Sequence, residues 1–337
     1  MRALVTGGGG FLGGAIVRLL ADRGDSVRSF SRQSYPSPAA IGAEQVRGDL
    51  ADPAAVSAAA TGCDVVFHTA AKAGVWGPWA DYHRANVVGT ENVIAACRTH
   101  GIRRLVFTSS PSVVFAGIDQ HGVDESEPYP KRFLAHYPHT KALAEQVVLT
   151  ANGPDLATVA LRPHLIWGPG DPHLIPRLVR QSRAGRLKRI GRQSKPVDTV
   201  YVDNAAAGHV QAADRLEPGS PLAGKAYFLS QGEPQPLWEF VDRLLTAAGL
   251  PPVTTTVSAS MAYATGALWE GAYRLFRLDG EPPMTRFVAR QLSTAHWFDL
   301  SAARRDFGYA PTISTDEGLK RVEAWLQSQL CREPATR

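Results

Sequence analysis

Apolar and polar positions alternate along the chain in blocks that switch between the period of a strand and that of a helix. Ala3-Leu4-Val5 is a short apolar run. After a glycine-rich turn, Leu12, Ala15, Ile16, Leu19 and Leu20 recur at i, i+3, i+4, i+7 and i+8, the stripe of a helix with one buried face. A second strand is expected over 26–30, a third over 46–50 reaching the adenine side of a ligand, and a buried fourth over 64–71 that ends in small residues. Val87, Thr90, Ile94 and Cys97 have helical spacing in a helix expected over 82–100, with Cys97 in the core. Leu105-Val106-Phe107-Thr108-Ser109-Ser110 is the next strand, and its hydroxyls lie at the carboxyl end, where ligands of such sheets bind. After Leu165 the alternation loosens. These blocks predict an α/β fold: a doubly wound parallel Rossmann sheet in residues 1–165, with 197–212 returning to it. A smaller C-terminal α/β substrate-binding domain is expected from 166–196 and 213–330, with a tail at 331–337.

The turn after the first strand reads Thr6-Gly7-Gly8-Gly9-Gly10-Phe11-Leu12-Gly13. It satisfies G-x-G-x-x-G (Gly8, Gly10, Gly13) and G-x-x-G-x-x-G (Gly7, Gly10, Gly13). No Gly-Lys-Ser/Thr follows, which excludes a P-loop. Strand, glycine turn and amphipathic helix together place a pyrophosphate at a helix N-terminus. An NAD site calls for a carboxylate at the end of the second strand, whereas this chain reads Arg28-Ser29-Phe30-Ser31-Arg32-Gln33. Ser31 removes a charge that would repel a 2′-phosphate, and Arg32 or Arg28 is placed to pair with one. The reading is therefore NADP(H).

Composition limits the partners. The chain has 337 residues and a net charge of +5 from 36 Lys+Arg against 31 Asp+Glu. Eight of those cations lie between Pro172 and Val197 with no acid among them, and the remainder is net −3. Basicity confined to one segment argues against nucleic acid. Arg177, Arg180 and Arg183 share a helix face that reads first as solvated surface, and second as a site for an acidic substrate or partner. Three scattered cysteines build neither a disulfide framework nor a cysteine zinc site, and no His or carboxylate cluster has ligand spacing, so no metal is expected. No apolar stretch has the length of a membrane span, no secretory pattern opens the chain, and a cytoplasmic protein is expected.

Tyr137-Pro138-His139-Thr140-Lys141 puts Tyr137 and Lys141 on one face of a helix. A free phenol titrates near about 10, and a neighbouring ammonium lowers that value. Tyrosine and lysine beside a nicotinamide can pass a proton to or from a carbinol oxygen while hydride moves at carbon. A serine of the 105–110 strand, Ser110 with Ser109 and Ser112 as neighbours, would hold the substrate oxygen.

This set, Gly7/Gly10/Gly13, Ser110, Tyr137 and Lys141, resembles the extended short-chain dehydrogenase/reductase family. Asn86-Val87-Val88-Gly89-Thr90, Leu161-Arg162-Pro163, Trp167-Gly168-Pro169-Gly170 and Val202-Asp203-Asn204 extend the likeness over nearly the whole chain. Tyr137 to Lys141 with Leu143-Ala144-Glu145 looks like the 3β-hydroxysteroid dehydrogenase branch. Within it, His68 to Gly77, Ser109 to Phe115, Arg162 to Asp171 and Glu281 to Phe287 are similar to the reductases that act on 2-alkyl-3-oxoalkanoates in bacterial long-chain olefin biosynthesis.

The resemblance implies NADPH-dependent reduction of a long-chain β-keto acid to a 2-alkyl-3-hydroxy acid. Tyr137 would donate the proton, Lys141 would lower its pKa and hold the nicotinamide ribose, and Ser110 would position the ketone oxygen. Cofactor contacts are then expected from Gly7, Gly10, Phe11, Leu12, Gly13, Ser31, Arg32, Asp49, Leu50, Ala70, Ala71, Lys72, Tyr137, Lys141 and Pro163. It also allows a homodimer, and association with a β-lactone synthetase and a β-lactone decarboxylase. A 3β-hydroxysteroid or sterol dehydrogenase is the second reading, and an NADPH-sensing or epimerase-like protein the third. The substrate carboxylate needs a cation or backbone donors, with Lys72, Arg84, His136, His164, His173 and Arg177 as candidates left unranked. Met261, Ala264, Leu268, Trp269, Tyr273 and Phe276 are expected as core of the smaller domain, or as a wall for alkyl chains.

Overall fold

The computed structural model describes residues 1–330, and the tail expected at 331–337 lies outside them. Seven strands form one parallel sheet: β1 (Arg2–Thr6), β2 (Ser26–Ser31), β3 (Glu44–Arg47), β4 (Val65–His68), β5 (Arg104–Thr108), β6 (Ala157–Pro163) and β7 (Lys225–Leu229). Their spatial order is β7-β6-β5-β4-β1-β2-β3. This is the doubly wound arrangement, whose strand order reverses between β1 and β4. The inner strands β1, β4, β5 and β6 are mainly apolar because both faces are covered, whereas β2 and β3 at one side are more polar. Ala3 and Val5 of β1 pack with Leu12, Ala15, Ile16 and Leu20 of α1 (Phe11–Asp22) and with the helix Val202–Arg215. Leu4 faces the other way, onto Val93, Ile94 and Cys97 of α2 (Gly89–Thr99) and Ala144 and Val148 of α3 (His136–Thr150).

Four expected boundaries move. The fourth strand stops at His68 and the fifth at Thr108, short of the expected 71 and 110. The third strand ends at Arg47, so Asp49 and Leu50 lie in the loop beyond it, where Asp52 caps the next helix by accepting from the Ala54 and Ala55 amides. The helix expected from residue 82 starts earlier, over Trp79–His83, and passes through a π-helical turn at Arg84–Val88 before α2. Such turns re-aim side chains and recur at functional sites. Here the turn turns Asn86 inward, where its amide clamps both backbone atoms of Lys72 (2.7 and 3.2 Å) and donates to Thr140 of α3 (3.0 Å).

The C-terminal part is built around a four-stranded sheet in the order Gln235–Pro236, Pro196–Val197, His296–Phe298, Gln120–Val123, so it recruits one strand from the first half of the chain. In turn β7, from the 213–330 segment expected in that part, joins the seven-stranded sheet beside β6 instead. On α4 (Leu174–Arg183), Arg177, Arg180 and Arg183 are exposed, as a solvated face requires. On α5 (Ala259–Leu275) the core expectation fails. Ala262, Gly266 and Glu270 are buried, whereas Met261, Leu268 and Phe276 are 60, 75 and 68% exposed and Trp269 is also exposed. A Cβ on Gly266 would lie 2.7 Å from the Thr285 carbonyl carbon, so α5 packs through its small residues and leaves its large ones outside. Among the described residues no helix is long and apolar enough to cross a membrane.

Candidate active site

The cleft opens where the strand order reverses. Gly7 adopts φ +73°, and a Cβ there would lie 2.9 Å from the Ala70 backbone. A Cβ on Gly13 would come within 2.1 Å of the Gly7 carbonyl oxygen, so α1 is pressed against the turn. No side chain caps α1 at Gly10 and no acid sits in its first turn, which leaves the positive end of the helix facing the cleft. Gly7, Gly10, Phe11, Leu12, Gly13, Ser31, Arg32, Asp49, Leu50, Ala70, Ala71 and Lys72 all line this one cleft. Gly13→Ala is expected to weaken binding of the reduced nicotinamide cofactor at least about tenfold, measured by fluorescence titration, because the turn must move before α1 can reseat.

At the adenosine end the Ser31 Oγ is buried without a hydrogen-bond partner. Exposed Arg32 and Arg47 line a shallow hollow beside it with Gly48 and Asp49. Arg28 is not available. Its guanidinium is buried, donates to the Ala59 and Thr61 carbonyls (2.7 and 2.9 Å) and pairs with Glu44 (3.0 Å). Alternation puts Arg28, Phe30 and Arg32 on one side, so position along the strand explains this: Arg28 sits mid-strand inside the sheet layer, whereas Arg32 follows the strand's carboxyl end. Arg47 was not singled out in the sequence, yet it is the cross-strand partner of Ser31. Asp49 is held by Arg84 at 2.9 Å, which offsets the one carboxylate near the hollow.

The residues expected to transfer the proton sit on α3 and just beyond the end of β5. Lys141 is 3% exposed, donates to the Thr108 carbonyl (2.5 Å) and lies 4.0 Å from the Phe107 ring centroid. Burial pushes it down to about 7, against the pull of Glu145 one turn further on. Tyr137 shifts upward, contrary to the expectation that Lys141 would lower it. Burial outweighs the neighbouring Ser110 hydroxyl, and the ammonium is directed at the Thr108 carbonyl. At neutral pH Tyr137 therefore carries its proton.

Ser110 bonds Ser112 (Oγ to Oγ 2.9 Å) and accepts from the Ser112 amide. Ser109 does not share the task, because it is buried beside Glu145. Pro163 ends β6 and is buried outside the cleft lining.

Buried histidines hold this frame without titrating. His68 bridges Thr6 (2.7 Å) and Thr90 (3.0 Å) and is pushed down to about 3 by burial and Lys141. The Nδ1 of His209 meets the Ala205 carbonyl (2.7 Å) and must carry the proton, so its Nε2 accepts from the Thr108 hydroxyl (2.8 Å). Glu145 is fully buried in a fork with Arg162 (3.0 and 2.6 Å) and accepts from the Tyr129 hydroxyl (2.7 Å).

The candidate carboxylate anchors separate. Lys72 pairs with Asp81 (2.8 Å), Arg84 with Asp49 and Arg177 with Glu281 (3.2 Å). His164 is buried against His296 (2.7 Å). His173 lines the cofactor cleft, and His136 stands directly before Tyr137 with its ring 5.4 Å from that of Trp79.

Residues 4–258 match the model of the 3-beta hydroxysteroid dehydrogenase/isomerase family. The chain belongs to this family. It is thus an oxidoreductase of the extended short-chain dehydrogenase/reductase type, in a nicotinamide-dependent group. It is 55% identical over 327 residues to the 2-alkyl-3-oxoalkanoate reductase of Stenotrophomonas maltophilia, covering 96% of this chain and 99% of that one. To the protein of the same name from Shewanella oneidensis it is 52% identical, covering 96% and 86%. Among solved structures it is similar to MoeE5 in complex with UDP-glucose and NAD, at 26% identity and TM-score 0.75, covering 98% and 100%.

Proposed function

We propose that this member of the family is an NADPH-dependent reductase converting 2-alkyl-3-oxoalkanoates to 2-alkyl-3-hydroxyalkanoates. The Ser110, Tyr137 and Lys141 set at the carboxyl ends of the strands carries the chemistry, and the likeness to two 2-alkyl-3-oxoalkanoate reductases over nearly the whole chain supports the substrate. NADPH, when bound, supplies the hydride that reaches the ketone carbon. Ser110 holds the ketone oxygen, Tyr137 delivers its phenolic proton to that oxygen, and the Lys141 ammonium steadies the phenolate left behind. Residues 1–165 with 197–212 hold the cofactor in this reading, and the C-terminal part encloses the alkyl chains. We place the protein in the cytoplasm, where Cys63 and Cys97 stay free. A homodimer and contact with olefin-pathway enzymes fit the same role.

NADP(H) over NAD(H) is supported by Ser31, Arg32 and Arg47 around the hollow and by the neutralised Asp49. Arg32→Asp is expected to reverse the NADPH/NADH preference in kcat/KM, with Arg47→Ala weakening it about tenfold. An unchanged preference in Arg32→Asp would sink this assignment.

The family match favours one further reading, a 3β-hydroxysteroid dehydrogenase, while a purely NADPH-sensing protein has no use for the complete Ser/Tyr/Lys set. NADP⁺-coupled oxidation of a 2-alkyl-3-hydroxy acid beside a 3β-hydroxysteroid decides between the enzymes. Turnover of the steroid alone would overturn the first reading.

A further inference from the structure

A 2-alkyl-3-oxo acid carries its carboxylate two bonds from the ketone carbon, with the alkyl-bearing carbon between them. Its anchor must therefore lie on the same side of the cleft as Tyr137. The sequence candidates with permanent charge, Lys72, Arg84 and Arg177, are each committed to a carboxylate of the protein.

Among the described residues, the guanidinium of Arg274 makes no ion pair with a protein carboxylate. Arg274, near the end of α5, lies with its guanidinium carbon 5.2 Å from the ring centroid of Trp76, and Tyr273 beside it packs edge-on against the same indole at 6.1 Å. The Trp76 carbonyl accepts from the Tyr82 hydroxyl (3.0 Å), and the Tyr82 ring stands 6.3 Å from that of His136, the residue before Tyr137. Contacts thus run without a break from Arg274 to the start of α3. His136 is lowered by its burial and by the Arg274 charge, so it remains a neutral donor and Arg274 supplies the positive charge.

Three acids close to this run of contacts, Glu270, Glu281 and Asp81, are engaged elsewhere. Glu270, one turn before Arg274 and facing inward, accepts from the Arg286 amide (2.7 Å) and Nε (2.8 Å). Glu281 pairs with Arg177, and Asp81 with Lys72. Stacking on an indole occupies the face of a guanidinium and leaves its in-plane N–H groups free, which is the geometry a carboxylate fork requires.

We propose that Arg274, whose guanidinium lies over the Trp76 ring, is the anchor for the carboxylate of the substrate, with His136 as a neutral second donor. The proposal rests on the 2-alkyl-3-oxoalkanoate reading of the same site. It gives the stacked pair a second role, since a loop of the cofactor-binding half and a helix of the C-terminal part are joined there and a bound carboxylate would strengthen the junction.

The test compares a 2-alkyl-3-hydroxy acid with its methyl ester, both oxidised with NADP⁺, in the full-length enzyme and in Arg274→Gln, Arg274→Lys and Arg277→Gln. The unaltered enzyme is expected to show a KM for the acid about ten- to a hundredfold below that for the ester. Arg274→Gln should raise the acid KM by that factor, leave the ester KM, the kcat and the NADPH dissociation constant near their starting values, and so close the gap. Arg274→Lys should restore part of it, and Arg277→Gln none of the effect. A gap that survives Arg274→Gln, or equal losses on acid and ester, overturns the anchor while leaving the substrate reading standing. If the unaltered enzyme oxidises neither compound yet turns over the steroid, the substrate reading fails and takes the anchor with it.

Discussion

Tyr137→Phe should lower kcat for ketone reduction about 10²–10⁴-fold, the range for removing a positioned proton donor, while NADPH affinity and the thermal midpoint stay near those of the unaltered enzyme. Tyr137 lies in the first turn of α3, and its shift upward by burial keeps it protonated at neutral pH, the state a reductase needs. Removing one oxygen from a half-buried ring leaves α3 and its packing in place. Lys141 adds a pH signature. Its folded pKa is pushed down to about 7, so the ammonium that steadies the developing phenolate is present below that value and lost as pH rises through it. The kcat/KM for reduction should therefore decline above about pH 7. If Tyr137→Phe retained most of its activity, the proton would have another source and the mechanism would fail.

The cofactor side of this site was legible in the sequence because it is made of local patterns. A strand, a glycine turn and a helical stripe lie within the first twenty residues, and the ends of β2, β3 and β4 follow in order. What escaped was whatever depends on neighbours across the sheet. Arg28 and Arg32 looked equivalent in sequence, but four residues, from mid-strand to just past the end of β2, decide whether a side chain is enclosed by Ala59 and Thr61 or reaches the open end. Arg47 could have been found by pairing β3 with β2 in parallel register, which sets it opposite Ser31. Arg274 had no local signal at all, because its partner Trp76 is almost two hundred residues away. The stripe on α5 misled for a different reason. Periodicity reports that one face is apolar but not what lies against it, and here small residues on the opposite face make the contact.

The last signal passed over was Glu145, quoted as part of a motif but given no role, and it carries the largest expected effect on stability. Glu145→Leu alone should destabilise the fold by about 3–5 kcal/mol in denaturant unfolding, because Arg162, 3% exposed, would be left as an unpaired buried charge. Glu145→Leu with Arg162→Met should recover most of that loss, since apolar side chains of similar size replace the pair without a charge to desolvate. Adding Tyr129→Phe should recover more, as the Tyr129 hydroxyl then no longer lacks its acceptor. The pair also sets an acid limit. Its partners hold the Glu145 carboxyl below the ordinary range, so its contribution is complete above the unfolded value near about 4.3 and is lost as pH falls through the folded one. The double variant should accordingly lose less stability than the unaltered chain between pH 5 and 3. Equal destabilisation in the single and double variants would show that the fork is needed for its shape rather than its charge balance. The fork joins α3 to β6 one turn beyond Lys141, so a stable double variant whose kcat falls with NADPH binding intact would show that the pair also aims Lys141 and Tyr137 at the cleft.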